Sequence, residues 1–215
     1  MSITHSAFLT QIRNYTEVDS NVLSDTLLDQ FIRNTELDIA GKVDYDDIRR
    51  YATSNTGTQR YLNVPDDCIV IRSIQIISSG TRTHIEKRDT SFIGEFNSTD
   101  ATGLPKYFAN WDDKNIVFAP IPDQNYEIQI NYIKDPQHFT STQDTYLSKH
   151  FENVLLYGVL VECFSYLKGP MDMYKLYQAK YNEEIQAFMV QQTGRRRRSE
   201  YNDGVMRMPI PSPSP

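Results

Sequence analysis

The sequence lacks every short motif that marks a nucleotide-binding or catalytic site, and its nine glycines are scattered singly. A phosphate-binding loop needs clustered backbone N–H groups, so a nucleotide site is not expected. The four histidines lie far apart, and none has a second histidine or a cysteine at the spacing of a metal site. We therefore predict that the protein is not an enzyme and carries no cofactor and no metal.

Cysteine is also scarce, and so are segments that would address the chain to a membrane. Cys68 and Cys163 both lie among apolar residues and form no C-x-x-C pair, which is typical of free thiols in a reducing compartment. The N-terminus lacks the basic start and apolar core of a signal peptide. The apolar run 151–167 is too short to span a bilayer and contains two glutamates. We expect a protein made in the cytoplasm that has no membrane partner.

Three acidic clusters could be interpreted as functional sites. Asp44-Tyr-Asp-Asp47 resembles the start of a calcium loop, but Arg49 and Asn55 stand where such a loop needs glycine and glutamate. Asp66-Asp67 and Asp112-Asp113 lie in predicted turns, where aspartate favours local backbone hydrogen bonds. Solvated turns explain all three clusters. An enzyme with an unrecognised carboxylate site remains an alternative, because sequence cannot show a cleft.

Positive charge is concentrated in one run near the C-terminus, Arg195-Arg-Arg-Arg198, although the net charge of the chain is −6. An acidic body argues against a general nucleic-acid-binding protein, which should show a basic face. Four arginines in a row exceed what a helix end needs to complement its dipole. The run therefore favours contact with a partner, with an acidic protein surface preferred over nucleic acid. The segment Met208–Pro215 has a proline at every second position and is predicted to be extended.

Hydrophobic periodicity changes twice along the chain. Helical spacing predicts amphipathic helices over residues 4–16 and 24–40. Strand-like patterns follow, most clearly in Cys68–Ile77 and in Tyr126–Ile133, where apolar and polar residues alternate. Helix then returns from about residue 144 to 167. This helix is apolar almost all round, so we expect it to be buried by this chain or by a neighbour.

A last helix is predicted from Met171 onward, after the Gly169-Pro170 break. Its apolar residues recur at intervals of three and four and form one narrow stripe, which suits packing along another helix. We take the stripe as the candidate subunit interface: Tyr174, Tyr177, Tyr181, Ile185 and Phe188. The chain has 14 tyrosines in all, and tyrosine suits interfaces that are partly wet.

These patterns predict an α+β fold. We expect a helical bundle formed by the N-terminal helices and a long C-terminal helical hairpin, with a central antiparallel β-sheet or small β-barrel insertion and an extended C-terminal arm. The predicted domains are N-terminal helices over 1–43, an antiparallel β domain over 44–136, the C-terminal helical hairpin over 137–194, and a basic and Pro-rich arm over 195–215.

The order of these features resembles the head-to-tail adaptor (connector, or neck) proteins of tailed bacteriophages. The resemblance lies in order and spacing rather than in one diagnostic motif, and it spans residues 61 to about 190. The segments that carry it are Tyr61–Ser73, Gly103–Tyr107, Ile116–Pro122, Tyr126–Tyr132 and Leu155–Glu162, followed by the helix of Tyr177 and Tyr181.

The resemblance implies a virion structural protein that forms a ring of identical subunits, commonly twelve, beneath the portal. Such a ring extends the DNA channel, lets double-stranded DNA pass without specific binding, and provides the docking platform for tail or nozzle proteins. It lies in the neck of the virion, after assembly in the host cytoplasm. The C-terminal segment often reaches the portal, which makes the candidate portal-contact residues Arg195, Arg196, Arg197, Arg198, Tyr201, Met206, Met208 and Ile210.

Three other functions stay open at this point. A tail-side or chaperone-like assembly factor could have the same fold. A nucleic-acid-binding regulator could use Arg195–Arg198. The enzyme with a carboxylate site is the third.

Overall fold

The computed structural model describes residues 3–200, with side chains described as far as residue 194. Two compact units divide the chain: a helical unit, which runs up to Asp46 and resumes at Pro136, and a sheet unit, Asp47–Asp135. Six α-helices lie in the described residues: α1 His5–Thr16, α2 Asp25–Lys42, α3 Thr90–Phe96, α4 Tyr146–His150, α5 Glu152–Tyr166 and α6 Met171–Glu200. The described strands are β1 Arg49–Asn55, β2 Tyr61–Asn63, β3 Cys68–Ser78, β4 Thr81–Lys87, β5 Tyr107–Asn110, β6 Asn115–Ala119 and β7 Glu127–Lys134.

Side-chain caps fix where several helices begin. The hydroxyl of Thr4 accepts the Ala7 N–H at the start of α1, and Ser24 accepts the Leu27 N–H at the start of α2. Asp89 accepts the Ser91 N–H and so caps α3. Each cap satisfies a backbone donor that has no partner inside its helix, which is worth about 1 kcal/mol.

The sheet unit is built on one seven-stranded sheet in the described residues, with strand order β1-β7-β3-β4-β5-β6-β2. The sheet curls into a half-barrel. Strict alternation in β7 sends Ile128, Ile130 and Tyr132 to the buried face, as the sequence predicts. These side chains join the core of the unit: Val64, Ile71, Ile74, Ile76, Ile85, Phe108, Ile116, Phe118, Tyr126, Ile128, Ile130 and Tyr132.

One neighbouring pair of strands is parallel. Glu86 and Lys87 of β4 pair with Tyr107 and Phe108 of β5 in parallel register, and α3 lies on the connection between the two strands. A hairpin cannot join parallel neighbours, because the chain must cross over before it returns in the same direction. The expectation of a central antiparallel β-sheet is therefore wrong.

The predicted fold class is wrong as a whole. In the described residues the chain is a mixed α/β fold with a seven-stranded curled sheet and six helices, not a helical bundle with a C-terminal hairpin and a small β insertion. Strands β2 and β5 are only three and four residues long, so the sequence shows little periodicity there. Tertiary pairing, rather than local pattern, decides such short strands.

Helix α5 is buried by its own chain. It packs against α1, α2, α4 and α6. Its side chains are covered nearly all round, as the apolar composition predicts, and the buried residues are Val154, Leu155, Leu156, Gly158, Val159, Leu160, Cys163 and Phe164. The burial of this helix thus requires no neighbouring subunit.

Two helix boundaries differ from the prediction. The single helix expected from about residue 144 to 167 is broken at Phe151, whose backbone leaves helical geometry with φ −139° and ψ 46°. A capping box between Thr145 and Ser148 makes α4 a separate short helix. The second difference is at the C-terminal end of α6. The backbone of this helix continues through Arg195–Arg198 to Glu200, so the predicted extended arm does not begin at residue 195.

Candidate interface surfaces

The five residues of the predicted interface stripe lie on one side of α6, and four of them are buried within the chain. Tyr177, Tyr181, Ile185 and Phe188 are 1–7% exposed, whereas Tyr174 is half-buried. The stripe therefore holds α6 against the rest of the helical unit. Its role at a boundary between subunits stays a prediction, and most of its apolar area is already covered.

Tyr181 of α6 lies against both α2 and α5. Its hydroxyl donates a hydrogen bond of 2.7 Å to Asp38 Oδ2 on α2, and the Lys42 ammonium lies 5.2 Å from its ring centroid. Burial, and secondarily the bond to Asp38, raises the pKa of Tyr181, so the phenol stays protonated and acts as a donor. Gly158 of α5 faces this ring, and an added Cβ there would lie 2.8 Å from Tyr181 Cε2.

An aromatic cluster surrounds Tyr177. Its ring stacks on Phe164 at 5.1 Å, and the rings of Tyr15 and Tyr157 lie at 6.3 and 6.4 Å. The Lys180 ammonium lies over Tyr157 and Tyr177 at 5.3 and 5.9 Å. Tyr15 is 41% exposed, so the cluster reaches the surface of the helical unit.

A buried carboxylate ties α2 to the segment that follows the sheet unit. Glu36 is fully buried, accepts the Phe139 N–H at 3.0 Å, and lies 2.9 Å from His138 Nδ1. Burial raises the pKa of Glu36, while the hydrogen bond and the charge of His138 oppose that rise. Glu36 was not predicted as a site residue from the sequence. Its position, four residues after Ile32 and three before Ile39 on the apolar stripe of α2, is the signal that could have found it.

The predicted portal-contact residues fall at the edge of the described chain. The backbone of Arg195, Arg196, Arg197 and Arg198 is the continuation of α6, and their side chains are not described. The remaining predicted contacts lie outside the described residues: Tyr201, Met206, Met208 and Ile210. Among the described side chains of α6, Gln192 is the last that is buried, and Thr193 and Gly194 after it are exposed.

The sheet unit exposes aromatic side chains that the sequence analysis did not single out. Trp111 is 56% exposed and Tyr61 is 44% exposed, and their ring centroids lie 5.4 Å apart. Tyr51 on the edge strand β1 is 66% exposed. The position of Trp111, between Asn110 and Asp112 in a polar turn, is the sequence signal for an exposed tryptophan.

Within the described chain, no group of three or more histidine, cysteine, aspartate or glutamate side chains is placed to hold a metal ion. Across residues 3–200, none of the helices combines the length and the apolar character that crossing a bilayer requires.

Comparison with known proteins assigns the family. No curated protein matches the sequence. Residues 3–208 match the sequence profile of a family described as SU10 adaptor protein. The match includes the N-terminal helices, which the resemblance to phage adaptors left uncovered, as well as the sheet unit and α6. The chain therefore belongs to the SU10 adaptor protein family, as the resemblance to phage head-to-tail adaptors predicted, and is a bacteriophage structural adaptor protein of the virion.

Proposed function

We propose that the protein is a head-to-tail adaptor that assembles into a ring, of twelve copies in our expectation, beneath the portal. The ring extends the DNA channel and offers a docking platform to tail or nozzle proteins in the neck of the virion. The observation that carries this proposal is the family match over residues 3–208. The role is structural, and the chain holds other proteins in place rather than converting a substrate.

The form of α6 supports a contact with the portal. The helix has 30 residues, which corresponds to a length of about 45 Å. Gln192 is the last buried residue among the described side chains of α6, and the arginine run follows it along the same helix. We propose that the segment from Arg195 to Ile210 reaches the portal, with the arginines pairing with acidic side chains there.

A ring also requires a contact between copies. Closed rings are built from heterologous interfaces, in which two different surfaces of each subunit meet. We propose that the tyrosine-rich side of the helical unit supplies one of them, through the exposed parts of Tyr15 and Tyr174 beside the buried stripe residues Tyr177, Tyr181, Ile185 and Phe188. Tyrosine edges suit such a contact because they combine apolar area with a hydrogen-bonding group.

The net charge of −6 fits passage of DNA through the lumen rather than binding to it. Like charge weakens phosphate contact, so the packaged duplex can slide. A nucleic-acid-binding regulator that uses Arg195–Arg198 makes the opposite prediction, namely tight binding with a sequence preference. A tail-side protein or assembly factor differs in another way, because it would not be found on the portal in the virion.

Deletion of Gly194–Pro215 tests the portal contact. The truncation removes no buried described side chain, so we expect unchanged melting and ring formation but loss of attachment to the portal. Two full-length variants refine the test. Replacing all four arginines by glutamine should lose most of the attachment, and replacing them by lysine, which keeps the charge but not the bidentate geometry, should lose only part of it. Normal attachment of the truncated protein would show that the segment is not the portal contact.

A further inference from the structure

The curled sheet has a gap along the first half of β3. Strand β4 pairs with β3 only from Ile74 to Ser78, so in the described chain Cys68–Ser73 pair with β7 alone. The turn between β5 and β6 stands across the gap and is tied to the chain before β3, because the Val64 N–H donates to the Lys114 carbonyl at 2.8 Å. The space between them, here called the seam groove, has a volume of about 270 Å³.

The base of the seam groove is apolar, and its rim is exposed to solvent. Val64, Ile71 and Ile116 line it and belong to the buried core of the sheet unit. Ile69 also lines it and is 56% exposed, and the exposed Trp111 lies in the turn beside it. Single exposed apolar residues are normal on a protein surface, but Ile69 and the neighbouring Trp111 together offer exposed apolar area beside one groove, which favours an interaction site.

Carboxylates supply the charge of the groove. Asp112 and Asp113 are both among its lining residues and both are exposed. Hydrogen bonds from the Asn115 side chain and from the Lys114 and Asn115 N–H groups lower the pKa of Asp112, so this carboxylate stays ionised. A groove with these carboxylates repels phosphate, which argues against nucleic acid as its ligand.

We infer that the seam groove docks an extended, basic and aliphatic segment of a tail-side protein. Aliphatic side chains of that segment would fill the groove beside Ile69, and a lysine or arginine would pair with Asp113. An open strand edge favours this form of ligand, because an extended peptide can hydrogen-bond to the groups of β3 that face away from β7. The inference rests on the proposed function, in which the ring is a platform for tail proteins.

A labelled probe peptide, acetyl-Val-Arg-Ile-Arg-Val-amide, tests the groove directly by fluorescence anisotropy with the full-length protein. We expect saturable binding that weakens about fivefold in Asp113→Asn and about tenfold in Ile69→Ser. The matched control variants are Glu95→Gln, which removes an exposed carboxylate of α3, and Val22→Ser, which removes an exposed aliphatic side chain. Both should bind the peptide as the unaltered protein does. Equal melting temperatures establish that all four variants are folded.

Three results would overturn the inference. The first is no binding of the peptide, and the second is equal binding when its arginines are replaced by glutamate. The third is a gain in peptide binding on deletion of Gly194–Pro215, which would mean that the C-terminal segment of this protein occupies the groove.

A capture experiment separates this inference from the proposed function. Rings that carry Ile69→Ser and Asp113→Asn should still attach to the portal but should capture less than a tenth of the tail-side protein that unaltered rings capture. Normal capture by these rings would refute the groove and leave the adaptor role intact. If the unaltered protein forms no ring on the portal, the proposed function fails, whatever the peptide does.

Discussion

Gly158 offers the sharpest test of how the helical unit is packed. An ideal Cβ at this position of α5 would collide with the Thr35 methyl group of α2 and would lie 2.8 Å from Tyr181 Cε2 of α6. Both neighbours belong to packed helices, and the Thr35 hydroxyl is held by a 2.8 Å hydrogen bond to the Phe31 carbonyl. The helices would have to separate to admit even one methyl group.

We therefore predict that Gly158→Ala destabilises the protein. Overpacking of a core costs about 1–3 kcal/mol, and the higher helix propensity of alanine returns up to about 1 kcal/mol. The expected net loss of about 1–2 kcal/mol lowers the melting temperature by about 2–8 °C for a chain of this size. Circular dichroism at 222 nm, at one protein concentration, measures it.

Gly94 of α3 is the matched control, because an added Cβ there meets nothing within 4 Å. We expect Gly94→Ala to leave stability unchanged or to raise it by up to about 1 kcal/mol. Thr35→Ser removes the colliding methyl and keeps the hydroxyl, so Gly158→Ala and Thr35→Ser together should cost less than the sum of the two single changes. Melting of Gly158→Ala at or above the unaltered temperature, or strict additivity, would refute the close approach.

Three further predictions test other parts of the account. Leu155→Asp should unfold the chain, because a charge at the fully buried position of Leu155 costs about 5 kcal/mol or more. The control Leu176→Asp, on the exposed side of α6, should cost less than about 1 kcal/mol. Equal melting curves of the two variants would place α5 at the periphery. The raised pKa of Glu36 means that the folded protein keeps a proton that the unfolded chain releases, so stability falls as pH rises above the ordinary value of 4.5. In urea unfolding, the stability of Glu36→Gln relative to the unaltered protein should therefore increase as the pH rises above 4.5. A difference in stability that does not change with pH would contradict this. Duplex DNA should bind the assembled ring weakly and without sequence preference in gel-shift assays, whereas sub-micromolar sequence-specific binding would favour the regulator.

The elements with strong periodicity were predictable from sequence. Strand β7 was expected over Tyr126–Ile133 and runs over Glu127–Lys134, because strict alternation across a half-buried sheet leaves little choice. The burial of α5 followed in the same way from its apolar circumference. In both cases one local pattern determines the environment of the whole element.

The arrangement of the sheet was not predictable in this way. Residues 107–110 form β5 only because β4 and β6 provide partners on either side, and the parallel pairing depends on the crossover through α3. No local pattern records which strands become neighbours. The result is a curled seven-stranded sheet where a small antiparallel insertion in a helical bundle was expected.

The two candidate surfaces differ in how far the sequence could predict them. The stripe of α6 was found because helical spacing shows which residues share a face, but spacing could not show that α2 and α5 already cover that face. The seam groove could not be predicted from the sequence, because Ile69 and Asp113 are distant in sequence and line one groove only after the sheet curls. Surfaces made by one helix are accessible to sequence reasoning, and surfaces made by tertiary pairing are not.

The central claim is that this chain assembles into a ring on the portal. Electron microscopy of the purified full-length protein mixed with its portal tests it most directly. The account predicts a closed ring of identical subunits, twelve in our expectation, stacked coaxially on the tail-facing end of the portal with an open central channel. Monomers that leave the portal bare, or rings that form but never associate with it, would contradict the account.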